Sequence, residues 1–178
     1  MVRLFAAFPF PQADQCLSFI QKNELTEKGW RITFSENLHV TLFFIGEIEE
    51  ENLRNIQSAI EIAISGQKKF MLVSDGVQYA GKPSKPSMIW LKMKASDEFS
   101  KLNKKLHEAS MPFMTVKPTH DDPVPHVTLA RAGKKSERVK LNTETMDEEF
   151  LIDRAELWQT IQTKKGVRYR RLKSWELF

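Results

Sequence analysis

The tetrapeptide His-Val-Thr-Leu occurs twice in the chain, as His39-Val40-Thr41-Leu42 and as His126-Val127-Thr128-Leu129, 87 residues apart. Imidazole is the side chain that changes charge nearest neutral pH. Two imidazoles in one site suit acid–base chemistry: a neutral ring takes a proton from an attacking oxygen, and a charged ring gives one to a leaving oxygen. Two threonine hydroxyls beside them can donate to non-bridging phosphate oxygens and stabilise charge in the transition state. Such a set calls for neither a metal nor a covalent intermediate.

Strand parity keeps these groups together. Side chains alternate faces along a strand. His39 and Thr41 therefore share one face, while Leu38, Val40, Leu42 and Phe44 share the other, which reads as core. His126 and Thr128 likewise oppose Val127 and Leu129. By the same count Phe43 falls on the His39 face, as the aromatic expected to meet a base. Arg131 falls on the face opposite His126 and reaches it only if the strand ends or bulges near Ala130.

The elements that must position these residues repeat as well. Residues 2–8 read as a strand bounded by Pro9 and Pro11, with a helix from Pro11 or Gln12 to about Glu27. Residues 38–45 form a strand ending at Gly46. Leu53, Ile56, Ile60 and Ala63 mark a helix over about 49–65, stopped by Gly66. Strands follow at 69–79 and 87–94, separated by Gly81-Lys82-Pro83-Ser84-Lys85, which reads as a mobile basic loop. A helix over 97–109 and a strand over 125–131 come next. Residues 149–162 and 167–178 read as two final strands joined through Gly166. Strand, helix and His-Val-Thr-Leu strand thus occur in residues 2–46 and again in 88–131. This predicts two similar α+β half-units whose matching strands face each other across a cleft.

The chain has 178 residues, within the roughly 100–200 of one ordinary domain. No apolar run approaches the roughly 18 residues of a membrane span. The N-terminal apolar stretch breaks too early for a signal peptide. Cys16 is the single cysteine, which leaves no intramolecular disulfide and no cysteine-based zinc site. A cytoplasmic location and a core role for Cys16 are the expectations. The net charge is +4; residues 1–130 hold 15 Lys/Arg and 15 Asp/Glu, whereas residues 131–178 hold 12 and 8. The excess lies in two clusters, Arg131 to Lys140 and Lys164 to Lys173, and suits a phosphate-bearing partner.

The residues also resemble a known family, the two-histidine phosphoesterases, and within it the LigT-like RNA 2′,3′-cyclic phosphodiesterases, also called 2′-5′ RNA ligase-like proteins. Arg3-Leu4-Phe5-Ala6-Ala7 is similar to the family's opening strand. Asn37 to Leu42 with Phe44-Ile45-Gly46-Glu47 resembles its first signature, and Pro125 to Arg131 resembles the second. Gly166, Tyr169 and Leu172 resemble its ending. The resemblance covers essentially the whole chain, residues 1–178, as one domain. It implies a bilobal, pseudo-twofold α+β fold with antiparallel sheets flanking a central groove. It also implies hydrolysis of RNA 2′,3′-cyclic phosphate ends to 2′-phosphates. By carry-over His39 is the proton donor to the leaving 3′ oxygen, His126 is the acceptor that activates water, and Thr41, Thr128 and Arg131 bind the phosphate. No cofactor and no metal are implied. The expected partners are RNA ends or nucleotide cyclic phosphates, the expected state a monomer away from membranes.

Other readings stay open at this stage. The same groups serve 2′-5′ ligation of RNA ends, hydrolysis of another cyclic phosphate such as ADP-ribose 1″,2″-cyclic phosphate, or a non-catalytic nucleotide-binding module. His120-Asp121-Asp122 near His126 has metal-ligating residue types, but Pro118, Pro123 and Pro125 forbid the helical display such sites use. His107 reads as a helix-boundary residue. Trp30, Trp90, Trp158 and Trp175 read as packing or groove-edge residues.

Overall fold

The computed structural model describes residues 1–10, 12–115, 123–141, 148–164 and 166–178. The chain runs β1 (Val2–Pro9), α1 (Ala13–Lys22), β2 (Trp30–Ile32), β3 (His39–Ile48), α2 (Leu53–Ile64), β4 (Phe70–Lys82), β5 (Lys85–Met93), α3 (Asp97–Ser110), β6 (His126–Ala132), β7 (Glu149–Ile152), β8 (Arg154–Thr163) and β9 (Gly166–Glu176). The strands are ordered β7-β4-β5-β6-β3-β1-β8-β9, with β2 pairing β6, and all described pairs are antiparallel.

This order is palindromic about the β6–β3 junction, as the duplicated sequence predicts. In one half β1, α1 and β3 form the unit, with β8 beside β1. In the other half β5, α3 and β6 form it, with β4 beside β5. The two half-sheets meet at one registered pair, Val40 with Val127.

The helices cover one face of the sheet. Cys16, Phe19 and Ile20 of α1, Ile56, Ile60 and Ile64 of α2, and Phe99, Leu102 and Leu106 of α3 all enter one apolar core with Leu4, Phe8, Val40, Leu91 and Val127. Their helical spacing makes each helix amphipathic, and burying that stripe is what fixes it on the sheet. Ser96 caps α3 by accepting from the Phe99 amide at 3.2 Å. Cys16 is fully buried, which pushes its thiol up to about 12 and leaves it inert. No helix among the described residues is long and apolar enough to cross a membrane.

Several boundaries differ from the sequence reading. α1 stops at Lys22 instead of near Glu27, because the chain turns at Glu24, a non-glycine residue at φ 51°. Residues 81–85 are no loop: β4 and β5 extend until Lys82 pairs with Lys85, a two-residue hairpin. The expected strand at 149–162 breaks at Asp153. Its first part pairs with β4 and its second with β1 and β9, so one apolar run serves both ends of the palindrome. β2 was not foreseen; three residues carry too little pattern to register as a strand.

Candidate active site

The face opposite the helices carries the histidines. At its entry to β3 the chain makes a 3-10 turn over Ser35–Asn37, which aims the Asn37 carbonyl back at the imidazole. His39 Nδ1 donates to that carbonyl at 2.6 Å. In the second copy His126 Nδ1 donates to the Val124 carbonyl at 2.7 Å. Each partner is the carbonyl two residues upstream. A carbonyl only accepts, so Nδ1 carries a proton in both rings and each neutral ring presents Nε2 as its free base. In the first copy Nε2 lies 3.1 Å from Thr41 Oγ1 and accepts from that hydroxyl.

The Val40–Val127 pair brings the two copies together. Because the strands are antiparallel, His39 lies on the Thr128 side of that pair and Thr41 on the His126 side. Imidazole and hydroxyl thus alternate around the four corners of the groove floor. The two rings are close enough for charge on His126 to oppose charge on His39.

Beyond each threonine the strand carries a bulge at the same leucine. In β3, Thr41 pairs with Ala7 and Phe43 with Ala6, leaving Leu42 as the extra residue. In β6, Thr128 pairs with Trp90 and Ala130 with Ile89, leaving Leu129 as the extra residue. A one-residue insertion reverses parity downstream. Leu129 and Ala130 are both buried, and Arg131 emerges exposed on the histidine face. Its positive charge acts on both His39 and His126, and its Nη1 rests 3.1 Å from the Met88 sulfur. All five sequence-assigned residues, His39, Thr41, His126, Thr128 and Arg131, therefore converge on one groove.

The same bulge corrects two expectations. Phe43 is buried, its ring stacked 5.3 Å from His107. Phe44, expected in the core, is 62% exposed, with its ring 6.0 Å from Phe5. Phe44 thus holds in the first half the place that Arg131 holds in the second.

Each imidazole has its own aromatic surround. His39 lies 5.0 Å from Phe5, 5.0 Å from Trp158 and 5.3 Å from Tyr169, the last perpendicular to it. Phe5, Ala7, Trp158 and Tyr169 form a small apolar cluster separate from the main core. His126 is covered by Trp90, with ring centroids 3.7 Å apart and planes 20° from parallel. The sequence reading names Trp90 and Trp158 only as packing or groove-edge residues and assigns none of these rings to a histidine. Parity held the signal for Trp90: Ile89, Leu91 and Met93 are core, so Trp90 must occupy the other face of β5.

Burial lowers both imidazoles. His39 falls from the ordinary 6.5 to about 4; desolvation dominates, the Asn37 bond opposes it, and the charges of His126 and Arg131 add to it. His126 is lowered by desolvation and by Arg131, against the Val124 bond. At neutral pH these lowered values leave both rings as neutral bases. Among the described residues no group of three or more His, Cys, Asp or Glu converges as metal ligands would; His120, Asp121 and Asp122 lie outside the described residues.

Comparisons with known proteins bear on the family and the fold. Residues 24–164 match the model of the 2′-5′ RNA ligase superfamily. An RNA 2′,3′-cyclic phosphodiesterase of Archaeoglobus fulgidus is 30% identical over 156 residues, covering 83% of this chain and 84% of that protein. One of Thermotoga maritima is 27% identical over 162 residues, covering 88% and 84%. The crystal structure of E. coli LigT complexed with 3′-AMP superposes with a TM-score of 0.76 at 24% identity, covering 99% of this chain and 98% of that one. With most of its length inside the family match, the chain belongs to the 2′-5′ RNA ligase superfamily.

Proposed function

We propose that the protein hydrolyses RNA 2′,3′-cyclic phosphate ends to 2′-phosphomonoesters, without a metal, using His39 as proton donor and His126 as proton acceptor. The observation that carries this reading is the duplicated orientation of the rings. Two imidazoles, each held through Nδ1 by its own upstream carbonyl, present Nε2 on one groove floor beside two hydroxyls and a guanidinium. The activity of the curated relatives supports the same substrate class.

In this mechanism Nε2 of His126 takes a proton from a water that attacks phosphorus. The P–O3′ bond breaks, and Nε2–H of His39 supplies the proton that O3′ needs. The product keeps its phosphate on O2′. His126 ends charged and His39 neutral, and exchange with solvent resets the pair. His39 takes its proton from solvent as the substrate binds: a cyclic phosphate carries a negative charge, and placing it beside the ring favours imidazolium. Protonation also turns Nε2 from acceptor to donor, which releases the Thr41 hydroxyl to bond a non-bridging oxygen. Thr128 and Arg131 hold the remaining charge, the guanidinium contributing charge-assisted bonds. The protein acts as a cytoplasmic monomer on RNA ends or nucleotide cyclic phosphates.

The test is product analysis. In EDTA, an RNA oligomer with a 2′,3′-cyclic phosphate end should be converted to the 2′-phosphate. Conversion abolished by EDTA and restored by zinc or manganese would overturn the metal-free mechanism, and a 3′-phosphate product would overturn the placement of His39.

A further inference from the structure

Arg31 and Arg131 stand directly opposite each other in the β2–β6 ladder. Trp30 and Ile32, the neighbours of Arg31 in β2, pack on the main core. Strand parity therefore turns Arg31 to the other face, the one that carries the histidines. Both arginines are exposed. Residues paired in this way have Cα atoms about 4.5–5.5 Å apart, and like charges directly opposite each other on a sheet are destabilising. Among the described residues no carboxylate forms an ion pair with either guanidinium. Two cations are thus held side by side without a protein anion between them.

A guanidinium has five N–H donors. Arg31 donates through Nη2 to the Ala132 carbonyl at 3.1 Å, and Arg131 rests one nitrogen on the Met88 sulfur at 3.1 Å. The first bond anchors Arg31 at the end of β6. The forked donors that remain on each side chain suit the paired oxygens of a phosphate.

The position of the pair selects which phosphate. β3 and β6 are antiparallel, so the Arg131 end of β6 lies at the His39 end of β3. The segment after β2 runs through the 3-10 turn into His39 itself. In the reaction proposed above O3′ departs toward His39, so the ribose stands at this end of the groove. The 5′ oxygen of the same ribose carries the next phosphate of an RNA chain. We propose that Arg31, beside Arg131, is a subsite for the phosphodiester that joins the terminal nucleotide to the rest of the chain. The groove then takes the end of a polynucleotide in preference to a nucleoside cyclic phosphate. This rests on the reading above for the side on which the ribose lies.

The test compares kcat/KM for adenosine 2′,3′-cyclic phosphate with and without a 5′-phosphate, which stands in for the phosphodiester, at low ionic strength. Wild type should favour the 5′-phosphorylated substrate about 10-fold, the scale of one charge-assisted contact. Arg31→Gln should bring that ratio close to one, and Arg31→Lys should keep part of it. Arg131→Gln should lower kcat/KM for both substrates, since its guanidinium also serves the reacting phosphate. The ratio is internal to each variant, so any loss of folded protein cancels from it. A wild-type ratio near one, or a ratio untouched by Arg31→Gln, would overturn the subsite. If the wild type hydrolyses neither substrate, the catalytic reading fails and binding decides the subsite separately. Adenosine 3′,5′-bisphosphate should then bind about 10-fold more tightly than adenosine 3′-phosphate by calorimetry, an advantage absent in Arg31→Gln. Equal affinities in the wild type, or an advantage kept by Arg31→Gln, would overturn it.

Discussion

Trp90 lies face to face on His126, ring centroids 3.7 Å apart, and it pairs across the sheet with Thr128 of the same motif. One side chain of β5 thus fixes the plane of a ring whose Nδ1 is already fixed by Val124. Two constraints leave the imidazole no freedom to swing, and pre-positioning of this kind is a large part of catalytic rate. Trp90→Leu should lower kcat about 10-fold or more with a smaller change in KM, and Trp90→Phe should restore most of it. Steady-state kinetics on a cyclic-phosphate RNA check this; equal kcat in Trp90→Leu and wild type would show that Val124 alone suffices.

The depressed imidazoles set the pH dependence. The donor must be protonated and the acceptor neutral. In the free enzyme burial holds His39 at about 4, so the protonated donor is lost as pH rises through that value. The kcat/KM profile, which reports the free enzyme, should therefore peak on the acid side of neutrality. Bound phosphate raises both rings, so the kcat profile should sit at higher pH. Each limb belongs to the coupled pair. A kcat/KM optimum in alkaline solution would contradict the order of events proposed for His39.

Arg131 carries the charge that both rings feel. Arg131→Gln should raise KM about 10-fold and reduce the salt dependence of binding by roughly one charge. Removing a cation favours imidazolium, so the kcat/KM profile should also move to higher pH. Neighbouring Arg138 should contribute less, because its guanidinium is occupied over the Tyr79 ring at 5.1 Å and with the Pro83 carbonyl at 3.3 Å. A larger loss of salt dependence in Arg138→Gln than in Arg131→Gln would reverse this ranking.

The repeated His-Val-Thr-Leu made the groove legible because a strand's two-residue period survives in sequence, and Val40 and Val127 read as core in both copies. What parity could not carry was the change of phase after Thr41 and Thr128. Leu42 and Phe43 are both apolar, so the sequence shows no break where the bulge turns Phe43 inward and Phe44 out. Arg131 was placed only conditionally for the same reason, and the bulge at Leu129 supplies the condition. Asp153 divides one continuous apolar pattern between two partner strands, a decision made by long-range pairing and not by local preference. The surrounds of His39 and His126 draw Phe5, Trp90, Trp158 and Tyr169 from four strands, and no local pattern joins those positions.

The central claim is that His39 and His126 together cleave the cyclic phosphate. Its most direct test is single-turnover conversion, in EDTA, of an RNA 2′,3′-cyclic phosphate end to the 2′-phosphate by wild type, His39→Ala, His126→Ala and the double variant. Each single variant should fold as wild type does, since both rings lie off the main core, and should lose on the order of 10²–10⁴ in rate. The double variant should be far less than multiplicatively worse, because the two groups serve one proton relay. Near-wild-type conversion by either folded single variant would contradict the account.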